Sequence, residues 1–108
     1  MEIVKLGRTD LEVTKLSLGG LFMSDLVGDY EKSRIATQYA LDTGVRLIDT
    51  APSYFNSETV LGNILKSYKG KNKPLISTKL GMPEPWNPKS KRDIFASVEN
   101  SMEKLGID

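Results

Sequence analysis

The chain has 108 residues, of which 39% are apolar and 27% charged, the balance of one soluble globular domain. A net charge of +1 produces too weak an electrostatic field to favour nucleic acid or an anionic membrane as the main partner. With no cysteine and no histidine, the sequence excludes a disulfide framework and a thiolate site and lacks the commonest metal ligand, so no metal site is expected.

Nothing in the sequence directs the chain to a membrane or to secretion. The first residues lack the apolar run of a signal peptide, and every apolar stretch is far shorter than the roughly 20 residues of a membrane span. We therefore expect a cytoplasmic protein.

The first predicted elements are a β-hairpin and a short core strand. Residues 3–6 and 11–14 read as strands on either side of the polar turn 7–10. Residues 16–18 form an apolar run that ends at Gly19 and Gly20, where a buried strand can give way to a loop whose backbone makes close contacts.

A first helix is predicted between Asp29, an N-cap, and Gly44, a stop signal. Residues 45–49 come next as a strand rich in strand-forming side chains, and that strand ends at Asp49. The apolar residues of the helix recur at helical spacing and are expected to face the core: Ile35, Ala36, Tyr39 and Ala40.

The same order of helix and strand then repeats. A second helix opens near Asn56 or Ser57 and closes near Gly70, and residues 74–78 form the next strand. After a proline-rich loop at 81–88, a capping box opens a third helix, and residues 107–108 are expected to begin a fourth strand. The capping box consists of Ser90 and Asp93, and Gly106 is expected to end the third helix. The apolar stripe of the second helix is Val60, Leu61, Ile64 and Leu65, and that of the third helix is Ile94, Phe95, Val98, Met102 and Leu105.

Strands and helices alternating at roughly 30-residue intervals predict an α/β fold of parallel βαβ units. A closed barrel of eight such units needs roughly 250 residues, so three units and a hairpin make up less than half of one. An open three-stranded sheet would leave two unpaired edges and uncovered helix faces. We therefore expect a missing remainder rather than a fragment stabilised by a partner.

Three ionisable residues lie at or just after the ends of the predicted strands: Asp49, Tyr54 and Lys79. The carboxyl ends of parallel strands are where catalytic groups gather. Reduction of a carbonyl creates an alkoxide that needs a proton donor, and Tyr54 fits that role. A free phenol, with a pKa of about 10, is a sluggish acid. A neighbouring Lys79 ammonium would stabilise the phenolate, and Asp49 would keep Lys79 charged and fixed.

Several ordered segments of the sequence resemble the aldo/keto reductase family. Residues 6–13 and 16–20 are similar to its N-terminal hairpin and first strand, and residues 40–54 to the segment that carries its catalytic Asp and Tyr. Residues 57–62, with Ser-Glu and Leu-Gly, are similar to the next segment of the family, and residues 76–79 to the strand that carries its catalytic Lys. The resemblance covers essentially the whole chain.

The resemblance implies that residues 1–108 are the N-terminal fragment of a single (β/α)8 TIM barrel domain, with the hairpin and three βα units. It implies that Asp49, Tyr54 and Lys79 are catalytic, and that a fourth catalytic residue, a histidine, either lies beyond Asp108 or is missing in a departed member of the family. The implied cofactor is NADP, or NAD. Its nicotinamide end would lie near Gly19, Gly20, Leu21 and Asp49; Gly20 stands where many relatives have threonine.

The family resemblance also implies a small carbonyl or sugar substrate. Residues 77–81 are similar to the sugar-dehydrogenase branch of the family. Members of that branch, such as L-galactose and D-threo-aldose 1-dehydrogenases, oxidise aldoses at the anomeric carbon. The isolated 108 residues are expected to be inactive. The alternatives are a non-catalytic, nucleotide-binding regulatory subunit of the same fold, as in potassium channels, and a mis-terminated product; the oligomeric state stays open.

Each candidate residue also has a purely structural interpretation. Asp49 favours a turn at a strand end, and an isolated Tyr54 would more often be an amphipathic surface residue. Only their joint pattern with Lys79 favours catalysis. Phe55 and Trp86 either line a substrate mouth or are ordinary loop aromatics.

Overall fold

A two-stranded sheet, a three-stranded sheet and three α-helices make up residues 1–81 and 90–108, the part of the chain that this computed structural model describes. Strands β1 (Ile3–Lys5) and β2 (Glu12–Thr14) pair antiparallel, which confirms the predicted hairpin. The predicted proline-rich loop lies almost entirely outside the described residues.

The second sheet is parallel and carries the centre of the molecule. Its strands β3 (Leu18–Gly19), β4 (Leu47–Asp49) and β5 (Leu75–Ser77) lie in the order β3-β4-β5, as successive βαβ units produce. Each strand is shorter than predicted. Leu16, which we expected in β3, is 69% exposed and lies outside the strand.

Helices α1 and α3 begin and end close to the predicted capping signals, whereas α2 ends at Ser67, before the predicted stop at Gly70. Helix α1 (Tyr30–Asp42) is capped by the Asp29 carboxylate, which accepts the Lys32 backbone N–H at 3.0 Å. Helix α2 spans Ser57–Ser67, and helix α3 spans Lys91–Leu105. The predicted capping box at Ser90 and Asp93 opens α3, and Gly106 ends it with a φ of +66°, a left-handed conformation that suits glycine.

The core forms where α2 packs against the parallel sheet. Val60, Leu61 and Ile64 of α2 are buried, as predicted, together with Ile48 in the central strand. Helix α2 also contacts both α1 and α3. At Gly62 an added Cβ would lie 2.2 Å from the Lys104 carbonyl oxygen, so only glycine permits this approach of α2 to α3.

The predicted apolar stripe of α1 is wrong, because Ala36 is exposed, Ala40 is half-buried, and none of the four predicted residues is buried. Ile35 is 56% exposed and Tyr39 is 72% exposed, whereas Thr37 and Leu41 are buried. Helical spacing identifies apolar residues that share a face, but only a packed neighbour buries that face. In the described part of the chain, the neighbours of α1 lie on the side of Thr37 and Leu41.

The prediction for α3 fails in the same way at its first half. Ile94, Phe95 and Val98 are exposed, and burial begins at Ser101 and Leu105, where α3 meets α2. The expected fourth strand at residues 107–108 is also wrong for this structure. The Ile107 N–H donates to the Met102 carbonyl at 3.1 Å, so this segment closes the end of α3 instead of starting a strand.

Candidate active site

The parallel register brings the carboxyl ends of the three central strands to one edge. Gly19 is paired with Asp49, and Asp49 with Ser77, so each strand ends at the same level of the sheet. Lys79 lies two residues after Ser77. Since side chains two residues apart leave a strand on the same face, Ser77 and Lys79 both reach toward Asp49.

Asp49 and Lys79 form an ion pair at this edge. The Lys79 Nζ lies 2.8 Å from Asp49 Oδ2 and donates a second hydrogen bond to the Thr50 carbonyl oxygen at 2.9 Å. The Ser77 hydroxyl donates to Asp49 Oδ1 at 2.9 Å. The two charged side chains are 41% and 47% exposed, so the ammonium is fixed while water and small solutes still reach it.

The two partners shift each other's proton affinity in opposite directions. The hydrogen bond from Lys79 holds the pKa of Asp49 below its usual value; partial burial opposes this, and Ser77 reinforces it. The Asp49 carboxylate raises the pKa of Lys79, and Tyr54 adds to that increase. Both groups are therefore charged at neutral pH.

Tyr54 completes the cluster. The Lys79 Nζ lies over the Tyr54 ring, 5.0 Å from the ring centroid, which is within the range of a cation–π contact. The Tyr54 N–H donates to the Ala51 carbonyl, and its carbonyl accepts the Ser57 N–H, so the turn between β4 and α2 holds the residue. The three residues that the sequence predicts to be catalytic are together; their catalytic role stays a prediction.

The residues expected near a nicotinamide ring lie beside this cluster. The Gly20 N–H donates to the Asp49 carbonyl at 2.7 Å, and a Cβ at Gly20 would lie 2.8 Å from the same oxygen, so glycine is required here for packing. A Cβ at Gly19 would meet no atom within 4 Å. Leu21 begins a short 3-10 turn and is 42% exposed. Gly19 and the half-exposed Asp49 thus border open space.

Phe55 comes directly after Tyr54 and has a φ of +54°, the left-handed region that non-glycine residues rarely adopt. Its side chain is 59% exposed at the same edge of the molecule. These facts agree with a position at a substrate mouth but do not test it. Trp86, the other aromatic considered for that role, lies outside the described residues.

The sequence analysis predicted no contact for four polar partners around the cluster. The Thr50 carbonyl and the Ser77 hydroxyl hold the ion pair directly, and Ser57 and Glu58 contact the strand ends from α2. Ser77 was detectable from its spacing of two from Lys79. The others were not, because a backbone acceptor and contacts between distant segments leave no local pattern.

Residues 1–81 and 90–108 contain neither a candidate metal centre nor a membrane-spanning helix. Within those ranges no group of three or more acidic side chains is placed to hold a metal ion. None of the helices described there is long and apolar enough to cross a bilayer.

The described residues form a parallel α/β fold with an Asp, a Lys and a Tyr gathered at the strand ends, and comparisons with known proteins identify its family. The profile of the aldo/keto reductase family matches residues 15–108. The aldo-keto reductase YhdN of Bacillus subtilis is 31% identical over all of this chain and 35% of its own length. A candidate voltage-gated potassium channel subunit beta of Schizosaccharomyces pombe is 32% identical over 94% of this chain and 32% of its own length.

Solved structures agree with this result. A candidate aldo-keto reductase from Pseudomonas aeruginosa superposes with a TM-score of 0.80 and 32% identity, over 98% of this chain and 43% of that one. The chain belongs to the aldo/keto reductase family, whose members are generally NAD(P)-dependent oxidoreductases, and its fold is part of a TIM barrel, as predicted. It spans about a third of the length of these two curated relatives.

Proposed function

We propose that this chain supplies the acid–base residues of an NAD(P)-dependent oxidoreductase that interconverts a carbonyl and an alcohol. One observation carries the proposal: Lys79 lies between the carboxylate of Asp49 at 2.8 Å and the ring of Tyr54 at 5.0 Å. A fixed cation beside a phenol stabilises the negative charge that forms when the phenol gives up its proton.

In the direction of reduction, Tyr54 gives its phenolic proton to the carbonyl oxygen as the C–O double bond becomes a C–O single bond. The Lys79 ammonium stabilises the resulting phenolate, and Asp49 keeps that ammonium charged and in place. When bound, NADPH or NADH would supply the hydride that forms the new C–H bond, and the oxidised cofactor would accept that hydride in the reverse direction. In the direction of oxidation, the Tyr54 phenolate takes the proton of the alcohol.

The cofactor's nicotinamide end is proposed to lie beside Gly19, Gly20, Leu21 and Asp49. The open space at Gly19 and the partial exposure of Asp49 support this placement. Substrates are proposed to be aldehydes, ketones or aldoses. Residues 1–108 are proposed to be the N-terminal portion of one barrel domain and to show no turnover on their own, since a barrel of eight units needs roughly 250 residues.

A second candidate function is a regulatory subunit that binds the nucleotide without turnover. The potassium channel relative, 32% identical to this chain, favours it. Such a protein would be expected to bind NADPH tightly and to oxidise it slowly or not at all, so a turnover measurement distinguishes the two functions.

A hybrid barrel provides that measurement. This chain would replace the matching 35% of the Bacillus subtilis relative, and the oxidation of NADPH and NADH would be followed with a panel of aldehydes and aldoses. We expect turnover, and we expect Tyr54→Phe to reduce it by at least about a hundredfold because the proton donor is lost. Tyr39→Phe, on an exposed position of α1, is the matched control and should leave turnover unchanged. Cofactor binding without turnover would favour the regulatory function.

A further inference from the structure

Glu58 is a buried carboxyl group with no part in the proton transfer described above. It lies in the first turn of α2, is 2% exposed, and accepts a hydrogen bond from the Thr78 hydroxyl at 2.7 Å through Oε1. Its Oε2 has no hydrogen-bond partner among the described residues. Burial of a carboxyl oxygen without a partner is costly, and only part of that cost is offset by the N-terminal end of a helix dipole. Such a residue is expected to serve a purpose other than stability.

The residue before it, Ser57, is also fully buried and also reaches the strand ends. Its hydroxyl donates to the Gly20 carbonyl at 2.6 Å and lies 3.0 Å from the Thr50 hydroxyl. The two adjacent residues therefore tie α2 to the ends of all three strands of the parallel sheet: β3 through Gly20, β4 through Thr50 and β5 through Thr78.

These contacts hold the two strand ends that the Lys79 side chain joins. Its acceptors are Asp49 and the carbonyl of Thr50, at the end of β4, whereas its own backbone comes after Thr78 at the end of β5. Ser57 holds the acceptor side through Thr50, and Glu58 holds the donor side through Thr78. The two anchoring side chains come from consecutive residues in the first turn of α2.

Building on the proposed function of Lys79, we propose that Ser57 and Glu58 are positioning residues that set the distance between Lys79 and its acceptors. The Glu58–Thr78 hydrogen bond keeps Lys79 against Asp49 and over the Tyr54 ring. Neither residue touches the reacting atoms: Glu58 acts through Thr78 and Ser57 through Thr50, and both affect the position of Lys79 relative to its acceptors.

The titration of Lys79 in the full 108-residue chain tests this proposal. The chain would be labelled with 13C in its lysine side chains, and the titration midpoint of Lys79 would be measured by NMR. Asp49→Asn provides the reference for complete loss of the partner, because Asp49 is the main cause of the raised pKa of Lys79. Thr78→Val removes the hydroxyl and keeps the shape, and Thr78→Ser keeps the hydroxyl and is the matched rescue.

We expect the Thr78→Val midpoint to fall between those of the wild type and Asp49→Asn, and the Thr78→Ser midpoint to equal that of the wild type. Ser57→Ala is a second variant, which loosens the acceptor side and should lower the midpoint too. The contrary result is that Thr78→Val and Ser57→Ala lower only the free energy of unfolding and leave the titration midpoint of Lys79 at its wild-type value in each variant that folds. In that case Ser57 and Glu58 are merely structural, and the proposal is overturned.

The Lys79 titration and the turnover of the hybrid barrel distinguish a failure of the positioning role from a failure of the proposed function. A Lys79 midpoint that shifts as expected beside an inactive hybrid barrel would leave the positioning role intact and count against the oxidoreductase. An active hybrid whose Tyr54→Phe variant fails, beside an unchanged Lys79 midpoint, would do the reverse.

Discussion

Helices α2 and α3 both carry apolar residues at helical spacing, yet α2 buries its stripe and α3 leaves half of its stripe in water. Ile64 of α2 is fully buried, whereas Phe95 of α3 is 64% exposed. The difference lies in the neighbours, since α2 contacts α1, α3 and the short turn after β3, while α3 packs chiefly against α2. Burial, and with it stability, is therefore concentrated around α2 and the central strand, next to the Asp49–Lys79 pair.

The largest expected effect on the free energy of unfolding comes from comparing a buried residue of α2 with an exposed residue of α3. Ile64→Ala should lower the free energy of unfolding by about 2–5 kcal/mol, because a buried side chain is replaced by a cavity. Phe95→Ala, the matched change on α3, should alter it by no more than about 0.5 kcal/mol. Urea unfolding of both variants measures this contrast, and equal losses would show that α3 is covered in solution.

The close approach of α2 to α3 gives the second prediction. Gly62→Ala places a methyl group 2.2 Å from a backbone oxygen of α3, so the helices must separate, at a cost of about 1–3 kcal/mol. Gly19→Ala is the control, because its added methyl meets no atom within 4 Å. If both variants have the same stability in thermal unfolding, the helices do not pack as closely as described.

The contrast between α2 and α3 also shows how far sequence reasoning reaches. The helix limits depend on local signals such as Asp29, Ser90 and Gly106, and these were predicted. Which apolar residues are buried depends on neighbours that a helical pattern does not specify, so Phe95 was assigned wrongly. Thr37, a buried polar residue of α1, could not be predicted for the same reason.

At the candidate site, residue types and order predicted which side chains meet, because the ends of parallel strands share one edge. Asp49, Tyr54 and Lys79 were found in this way. Glu58 was recognised only as part of a family-like segment, since its contact with Thr78 joins positions 20 residues apart and leaves no spacing pattern.

A smaller effect concerns the charge of the ion pair. Asp49 has a lowered pKa, so its contribution to stability is present above its unfolded pKa of about 4 and is lost as the pH falls through the lower folded value. Lys79 has a raised pKa, so its contribution is present below about 10.4 and is lost as the pH rises through the higher folded value.

Because both side chains are partly exposed, we expect the ion pair to contribute no more than about 1 kcal/mol at neutral pH. Asp49→Asn should remove the acid-side part of this dependence, as measured by urea unfolding between acid and neutral pH. Lys15, in an exposed pair with Glu2, offers the comparison: Lys15→Met should have a still smaller effect. If the stability of Asp49→Asn depended on pH as that of the wild type does, Asp49 would not be the source of the acid-side dependence.

The smallest expected effect on stability is at the exposed face of α3. Phe95→Glu should leave the free energy of unfolding almost unchanged and reduce self-association, because it adds a charge to the exposed apolar residues Ile94, Phe95 and Val98. Light scattering over a concentration series measures this. Equal association of wild type and variant would show that this face does not mediate contacts between molecules.

The most direct test of the central claim is a nuclear Overhauser measurement between the side chains of Lys79 and Tyr54 in the folded chain at neutral pH. With the ammonium 5.0 Å from the ring centroid, cross-peaks are expected between the Lys79 side-chain protons and the Tyr54 ring protons, and they should weaken in Asp49→Asn. Absence of these cross-peaks in a chain with an otherwise well-resolved core would contradict the account, because the proton donor and its cation would then be apart.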